Sequence, residues 1–298
     1  MTTRGAIRPG AESHAAGRRA ANGTIALTTI AMLAFAANSV LCRLALAQTS
    51  IDPASFTLTR ITSGAAMLWV IFAIKRSGRA IGGSWPAALA LFGYAAAFSF
   101  AYVSLSAGAG ALLLFGAVQA TMVITGLVRG EQLTLGQWLG LALALAGLVA
   151  LVAPGVAAPP LLGAALMIGA GACWGAYSLV GRRNTDPLGA TAGNFVRAVP
   201  MALILAVPWL AGAHPISGLV YAILSGALAS GLGYAIWYAA LPGLTAAQGA
   251  SVQLSVPVIT AIGGTLILGE ALSLRLMIAS AAVLGGIALV IFSRVRRT

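Results

Sequence analysis

Side chains able to do acid–base or nucleophilic chemistry are few in this 298-residue chain, and nothing in their spacing pairs them. The carboxylates are Glu12, Asp52, Glu131, Asp186 and Glu270, and the histidines are His14 and His214. Each lies in a terminal tail, in a loop or beside the end of an apolar run. An enzyme needs its acid, base and nucleophile within hydrogen-bond reach of one another, and no such constellation is legible. Cys42 and Cys173 sit alone inside separate apolar runs, with no CxxC pair, which supports neither a metal site nor a disulfide. Gly169, Gly171 and Gly175 form a string that superficially resembles a phosphate loop. No G-x-x-x-x-G-K-[ST] motif is present, and glycines inside an apolar run let helices pack closely. The sequence implies no catalytic residue, no metal and no cofactor.

What the chain offers instead is aromatic rings and uncharged polar groups inside apolar runs. Tyr94, Phe98 and Tyr102 recur at i, i+4 and i+8, one face of a helix. Trp174 and Tyr177 follow at i and i+3, and Tyr234, Trp237 and Tyr238 cluster further on. Buried Tyr and Trp must satisfy their O–H and N–H groups, so a pocket of such rings suits a flat apolar solute with a polar end. Lipid-facing or core packing is the alternative for any single ring. Asn38, Ser39, Gln119, Gln248, Ser251 and Gln253 are uncharged polar residues within apolar runs. They are costly against lipid and should point inward. There they would bind the amino and carboxylate groups of a zwitterion, or hydrogen-bond between helices. Arg60 and Arg197 admit two readings: a shared structural task such as snorkelling or helix capping, or binding of a substrate carboxylate.

The elements that must position these residues are membrane helices. Hydrophobic residues make up 60% of the chain and charged residues 7%, with a mean hydropathy of +0.97. A soluble chain is about 45–50% apolar and about 25% charged, so lipid is the solvent here. Runs of about 20 apolar residues fall near 24–46, 54–74, 86–106, 108–129, 134–153, 161–181, 189–210, 216–240, 244–268 and 275–293. The expected fold is therefore all-α and integral to the membrane, with ten transmembrane helices. Short basic tails at 1–23 and 294–298 flank halves of five helices at 24–153 and 161–293. No cleavage site clearly follows the first apolar run, which argues against a removable signal peptide.

The net charge of +12 reflects topology, not an affinity for nucleic acid. With the N-terminus inside, the inner segments hold Arg4, Arg8, Arg18, Arg19, Lys75, Arg76, Arg79, Arg129, Arg182, Arg183, Arg294, Arg296 and Arg297. The outer ends hold only Arg43, Arg60 and Arg275, so both termini should be cytoplasmic. Trp85, Trp138 and Trp209 fall near span ends, where belt tryptophans belong.

The chain also repeats itself. A shift of 139 positions (131 onto 270) lays Gly130-Glu131 on Gly269-Glu270, Leu133 on Leu272, Thr134 on Ser273 and Leu135 on Leu274. Asp52-Pro53 and Arg60 answer Asp186-Pro187 and Arg197 once a three-residue insertion is allowed. Five spans per half is an odd number, so the second half begins on the opposite side and the repeat is inverted. Inverted repeats are a transporter architecture, with the substrate site near mid-membrane between the halves. Pro257 interrupts the ninth span, and Gly108, Gly110 and Gly116 soften the fourth, its partner by repeat. These two helices are expected to bend and gate the path. No carboxylate or histidine lies at a span centre to relay protons. That favours exchange, uniport or coupling through the solute's own charge.

The DP-to-Arg stretch, the GE-x-L-[ST]-L block with the small residues before it, and the Gly-rich last helix of each half resemble the EamA domains of the drug/metabolite transporter (DMT) superfamily. Within it the chain looks most like the YddG-type exporters of aromatic amino acids. The resemblance implies a five-plus-five helix fold with a central cavity in a bacterial-type inner membrane. It also implies a small-molecule substrate, an amino acid or similar metabolite, with the lipid bilayer as the other partner. Efflux of drugs or of another metabolite is the alternative, and a membrane-embedded enzyme is the rival from a different class.

Overall fold

The computed structural model describes residues 9–75, 81–155, 157–181, 184–212 and 214–295. Arg4, Arg8, Arg76, Arg79, Arg182, Arg183, Arg296 and Arg297, on which much of the sidedness argument rests, lie outside them. Among the described residues, ten helices are long and apolar enough to cross a bilayer. The first seven spans are α1 (Pro9–Gln48), α2 (Pro53–Lys75), α3 (Trp85–Tyr102), α4 (Ala107–Val128), α5 (Leu135–Val152), α6 (Leu161–Gly181) and α7 (Pro187–Ala206). The eighth span is composite: α8 (Ile216–Ile223), a π-helical stretch (Leu224–Leu232) and α9 (Gly233–Ala240). The ninth is α10 (Ala246–Gln253) followed by α11 (Ser255–Leu268), and the tenth is α12 (Leu274–Val295).

The repeat reappears as matched helix starts. Asp52 accepts from Ala54 N (2.9 Å) and Ser55 N (2.8 Å), and Asp186 accepts from Gly189 N (3.1 Å), each opening a helix that starts with proline. Thr134 and Ser273 cap α5 and α12, while Ser106 and Thr245 cap α4 and α10. Each cap supplies an acceptor to a backbone N–H that the first turn leaves unpaired.

Packing follows the same symmetry. Exchanging each span with the one five places along turns α3–α6 into the eighth span against α1, and α4–α6 into α11 against α1. It also turns α3–α7 into the eighth span against α2. The pairs α2–α7, α4–α11 and α5–α12 map onto themselves, and all of these contacts run between the two halves. Small residues set how close these helices come, as expected where lipid removes the hydrophobic drive to associate. At the α5–α12 crossing, a Cβ added to Gly140 would sit 2.5 Å from the Gly286 carbonyl oxygen, and one on Gly286 would sit 2.5 Å from the Gly140 oxygen.

Three local features differ from the expectations. α1 begins at Pro9, so much of the basic tail placed at 1–23 is helix. Pro9 suits a first helical position, and the alanines after it are strong helix formers. The apolar part still starts at Asn22. The ninth span breaks at Leu254, three residues before Pro257, because a proline ring leaves the carbonyl four residues earlier without its donor. α4, by contrast, is one unbroken helix, and its glycines serve packing. Gly108 lies against Ala261 and Leu276, Gly110 is flush with the Tyr102 ring, and Gly116 receives Leu148. The ninth span is thus interrupted beside Pro257, whereas the fourth is continuous.

Replacing Gly140 by Val should cost about 1–3 kcal/mol through overpacking at the α5–α12 crossing, read as earlier unfolding in an SDS titration. Gly285→Ala is the control, since nothing lies within 4 Å of an added Cβ there, and its curve should overlay the parent's.

Candidate functional site

The aromatic residues converge where the two halves meet, and Trp174 is the hub. Its ring lies 4.8 Å from Tyr94 at 48°, 5.2 Å from Tyr177 at 28° and 5.4 Å from Tyr234 at 20°. These tilted and stacked geometries match the preferences of ring quadrupoles. Tyr94 continues to Phe98 (5.3 Å), and Phe98 to Tyr102 (4.7 Å, edge-on). Phe35 of α1 and Phe195 of α7 close the far side against Tyr234 at 5.6 and 6.1 Å. Tyr94, Phe98, Tyr177 and Tyr234 are buried, and Trp174 is half-buried. The rings contact one another and do not line an open vestibule. By contrast Trp85, Trp138 and Trp209 are 59%, 50% and 37% exposed near span ends, as belt residues are.

Two hydrogen-bond networks flank the rings. In the first, the Tyr94 hydroxyl accepts from Asn38 Nδ2 (3.3 Å) and from Arg60 Nη2 (3.0 Å), and Ser225 Oγ donates to Asn38 Oδ1 (2.6 Å). It joins α1, α2, α3 and the π-helical stretch. In the second, Tyr177 OH donates to Thr191 Oγ1 (3.1 Å), Thr191 Oγ1 shares a hydrogen bond with Tyr238 OH (2.8 Å), and Asn194 Nδ2 donates to Tyr177 OH (3.5 Å). It joins α6, α7 and α9, the helices that the repeat relates to α1, α2 and α3.

Arg60 is the electrostatic centre. It is 2% exposed, and its guanidinium lies over the Phe98 ring (4.7 Å) and the Tyr94 ring (5.2 Å). Nη1 has no hydrogen-bond partner, and among the described residues no carboxylate pairs with it. A charge within a membrane span is costly, and ring faces offset only part of that cost. Its repeat partner Arg197 behaves otherwise. Half-buried, it donates through Nη1 to the carbonyls of Gly82 (2.8 Å) and Gly193 (3.0 Å), a structural tie. The two arginines share a place in the repeat and not a task.

The other polar residues go elsewhere. Gln248 is exposed and completes a capping box with Thr245, its Oε1 accepting from Thr245 N (2.9 Å). Gln253 donates to Gly249 O (3.1 Å) within α10, where Ser251 also sits half-buried. Gln119 faces a crevice between α4, α5 and α12 with Gly116, Leu141 and Ile287. Tyr102 donates to Ala107 O (3.2 Å) and belongs to the turn between α3 and α4. Phe35, Thr191, Asn194 and Ser225 join the site although no sequence motif marks them. The i, i+3 spacing of Thr191 and Asn194, on the same α7 face as Arg197, was the available signal.

At one end of the bundle an ion pair ties four helices together. Glu270, just past α11, takes Arg43 Nε on Oε1 (3.0 Å) and Ala107 N, at the start of α4, on Oε2 (2.7 Å). A carboxylate is favoured at a helix N-terminus. Arg43 Nη1 also donates to the carbonyls of Tyr102 (2.9 Å) and Val103 (3.0 Å). The clamp joins α1, the end of α3, the start of α4 and the end of α11, on the face that arginine distribution assigns to the outside. At the opposite end α10 packs on α1, α11 and α12, with Gln248 exposed.

Ten helices in two repeats, with a polar and aromatic site between them, define a multi-pass membrane transporter. The chain belongs to the EamA-like transporter family, which it matches at residues 22–153 and 161–292, one domain per half. An uncharacterised protein of Pseudomonas aeruginosa is 57% identical over 280 residues, covering 92% of this chain and 96% of that one. A crystal structure at 20% identity superposes with a TM-score of 0.62, covering 90% of this chain and 99% of that one, and shows the shared fold. The family places the protein in a bacterial-type inner membrane.

Trp174→Ala deletes the hub of the ring cluster. The relative affinities of competing solutes in a transport assay should shift at least about tenfold, an effect of about 1.4 kcal/mol. Trp174→Phe should shift them little, and an unchanged profile for the Ala variant would show that Trp174 does not touch the solute.

Proposed function

We propose that this protein is a secondary exporter of amino acids, aromatic or other bulky neutral ones, acting by alternating access between its two inverted halves. The supporting observation is the Trp174-centred set of rings, built from both halves and bordered by neutral hydrogen-bonding groups. Rings accept a flat apolar side chain, and hydroxyls and amides accept a zwitterion's polar end. This agrees with the likeness to YddG-type exporters. Tyr94, Phe98, Tyr177, Tyr234, Tyr238 and Asn38 are the lining we assign alongside Trp174. Gln119, Gln248 and Ser251 lie away from the rings and would join only in another conformation. The gate is assigned to the ninth span, hinged at Leu254 ahead of Pro257, moving against α4 at Gly108.

No carboxylate among the described residues faces the rings, so transport would run without a carboxylate proton relay. Efflux of cationic drugs is disfavoured by the same geometry, because Arg60 places an unpaired positive charge against the site.

Purified protein in liposomes should release preloaded labelled phenylalanine, tryptophan or leucine faster than protein-free liposomes. Flux of cationic dyes with none of any amino acid would sink this reading in favour of drug efflux. Glu270→Gln halves the outer clamp, so a cysteine introduced at Ala261 should react faster with a thiol reagent applied from outside. An unchanged rate would show that the clamp does not close that end.

A further inference from the structure

Packing gives no account of Arg60. A structural arginine in this fold looks like Arg197, whose Nη1 is taken up by two carbonyl oxygens. Arg60 occupies the related place, is more deeply buried, and leaves Nη1 with no acceptor. Its Nη2 is fixed by the Tyr94 hydroxyl at 3.0 Å, and that hydroxyl is steadied in turn by Asn38 and, through it, by Ser225 of the other half. The fork is therefore oriented in advance while one arm stays free. A guanidinium in this state is matched by a carboxylate, which accepts parallel N–H···O bonds and supplies the missing negative charge. The Tyr94 ring is 5.2 Å from the guanidinium carbon and 4.8 Å from the Trp174 ring. A carboxylate held on Arg60 would thus have its apolar body at the Trp174 rings.

The geometry points to Arg60 as the receptor for a carboxylate on the transported solute, with Tyr94 and Asn38 as positioning residues. The substrate class is a carboxylic acid with a flat apolar body. An amine on the solute is accommodated by the neighbouring hydroxyls and is not what the site selects. This deepens the transport reading and rests on it for what binding accomplishes, but the carboxylate requirement is measurable by itself.

The experiment is ligand binding to the purified full-length protein, followed by tryptophan fluorescence and by thermal shift. L-Phenylalanine and 3-phenylpropionate keep the carboxylate; phenylalaninamide and phenethylamine lack it. The first two should bind, and the last two should bind at least about tenfold more weakly, the scale of one hydrogen bond to a charged group. Arg60→Gln should abolish that distinction and melt no lower than the parent, because it removes an uncompensated buried charge. A purely structural arginine would lower the melting temperature and leave the ligand ranking alone. Arg60→Lys keeps the charge without the fork and should recover only part of the affinity.

Amide or amine binding as tightly as the acid would overturn the assignment, as would Arg60→Gln keeping full affinity. So would failure of both carboxylates to bind the parent. If Arg60→Gln does not fold, the ranking on the parent and the Lys variant decides. Binding of 3-phenylpropionate through Arg60 with no amino-acid flux would sink the amino-acid reading and keep this one. Amino-acid flux indifferent to Arg60→Gln would do the reverse.

Discussion

Two helices in lipid gain nothing from hiding apolar surface, since acyl chains are as apolar as leucine. Everything in this protein depends on what replaces that force, namely backbone approach at positions without a side chain. Gly140 and Gly286 bring α5 onto α12, Gly171 brings α6 onto the Leu114 carbonyl, and Gly226 seats the eighth span on the Arg60 carbonyl. Once backbones are this close, the few polar groups between them meet at hydrogen-bond distance. The Ser225–Asn38–Tyr94–Arg60 chain is one result, and it crosses from one half to the other.

The inverted repeat gives these contacts their order, and the departures from it are few and local. The caps Ser106 and Thr245 correspond, as do Thr134 and Ser273, and the packing pairs exchange under the pseudo-two-fold. The related arginines do not correspond in what they touch. The ninth span breaks where the fourth is continuous, and the eighth widens where the third stays regular. A duplicated scaffold supplies the frame at low cost in sequence specification, and the copies diverge at only a few places.

Much of this is legible in the sequence. Ten spans follow from composition, because so few charges leave lipid as the only workable solvent. The GE-x-L-[ST]-L block and the two Asp-Pro steps announced both the repeat and its helix starts. Helical spacing puts Tyr94, Phe98 and Tyr102 on one face of α3 and Trp174 and Tyr177 on one face of α6, but it does not say that these faces meet. What sequence did not yield were partners set by tertiary neighbours. Whether an arginine is satisfied depends on a carbonyl from a distant loop, and the segment at 81–84 reaches Arg197 but not Arg60. Gln248 was drawn inward by the rule that amides avoid lipid, while its Thr-x-x-Gln spacing already spelled a capping box. Pro257 located the break in the ninth span but not its offset, which proline stereochemistry places one turn earlier.

The wide turn at Leu224–Leu232 ties backbone register to ring position. Successive residues on an α-helix step about 100° around its axis, given 3.6 per turn, and a π-helical segment takes up chain that a regular helix would have spent on rotation. The direction in which Tyr234, Trp237 and Tyr238 face is therefore set upstream, by how tightly those nine residues are wound. Winding them into regular helix would sweep Tyr234 away from Trp174 and Tyr238 away from Thr191 together. The stack and the second hydrogen-bond network thus share a single angular coordinate, and neither opens without the other.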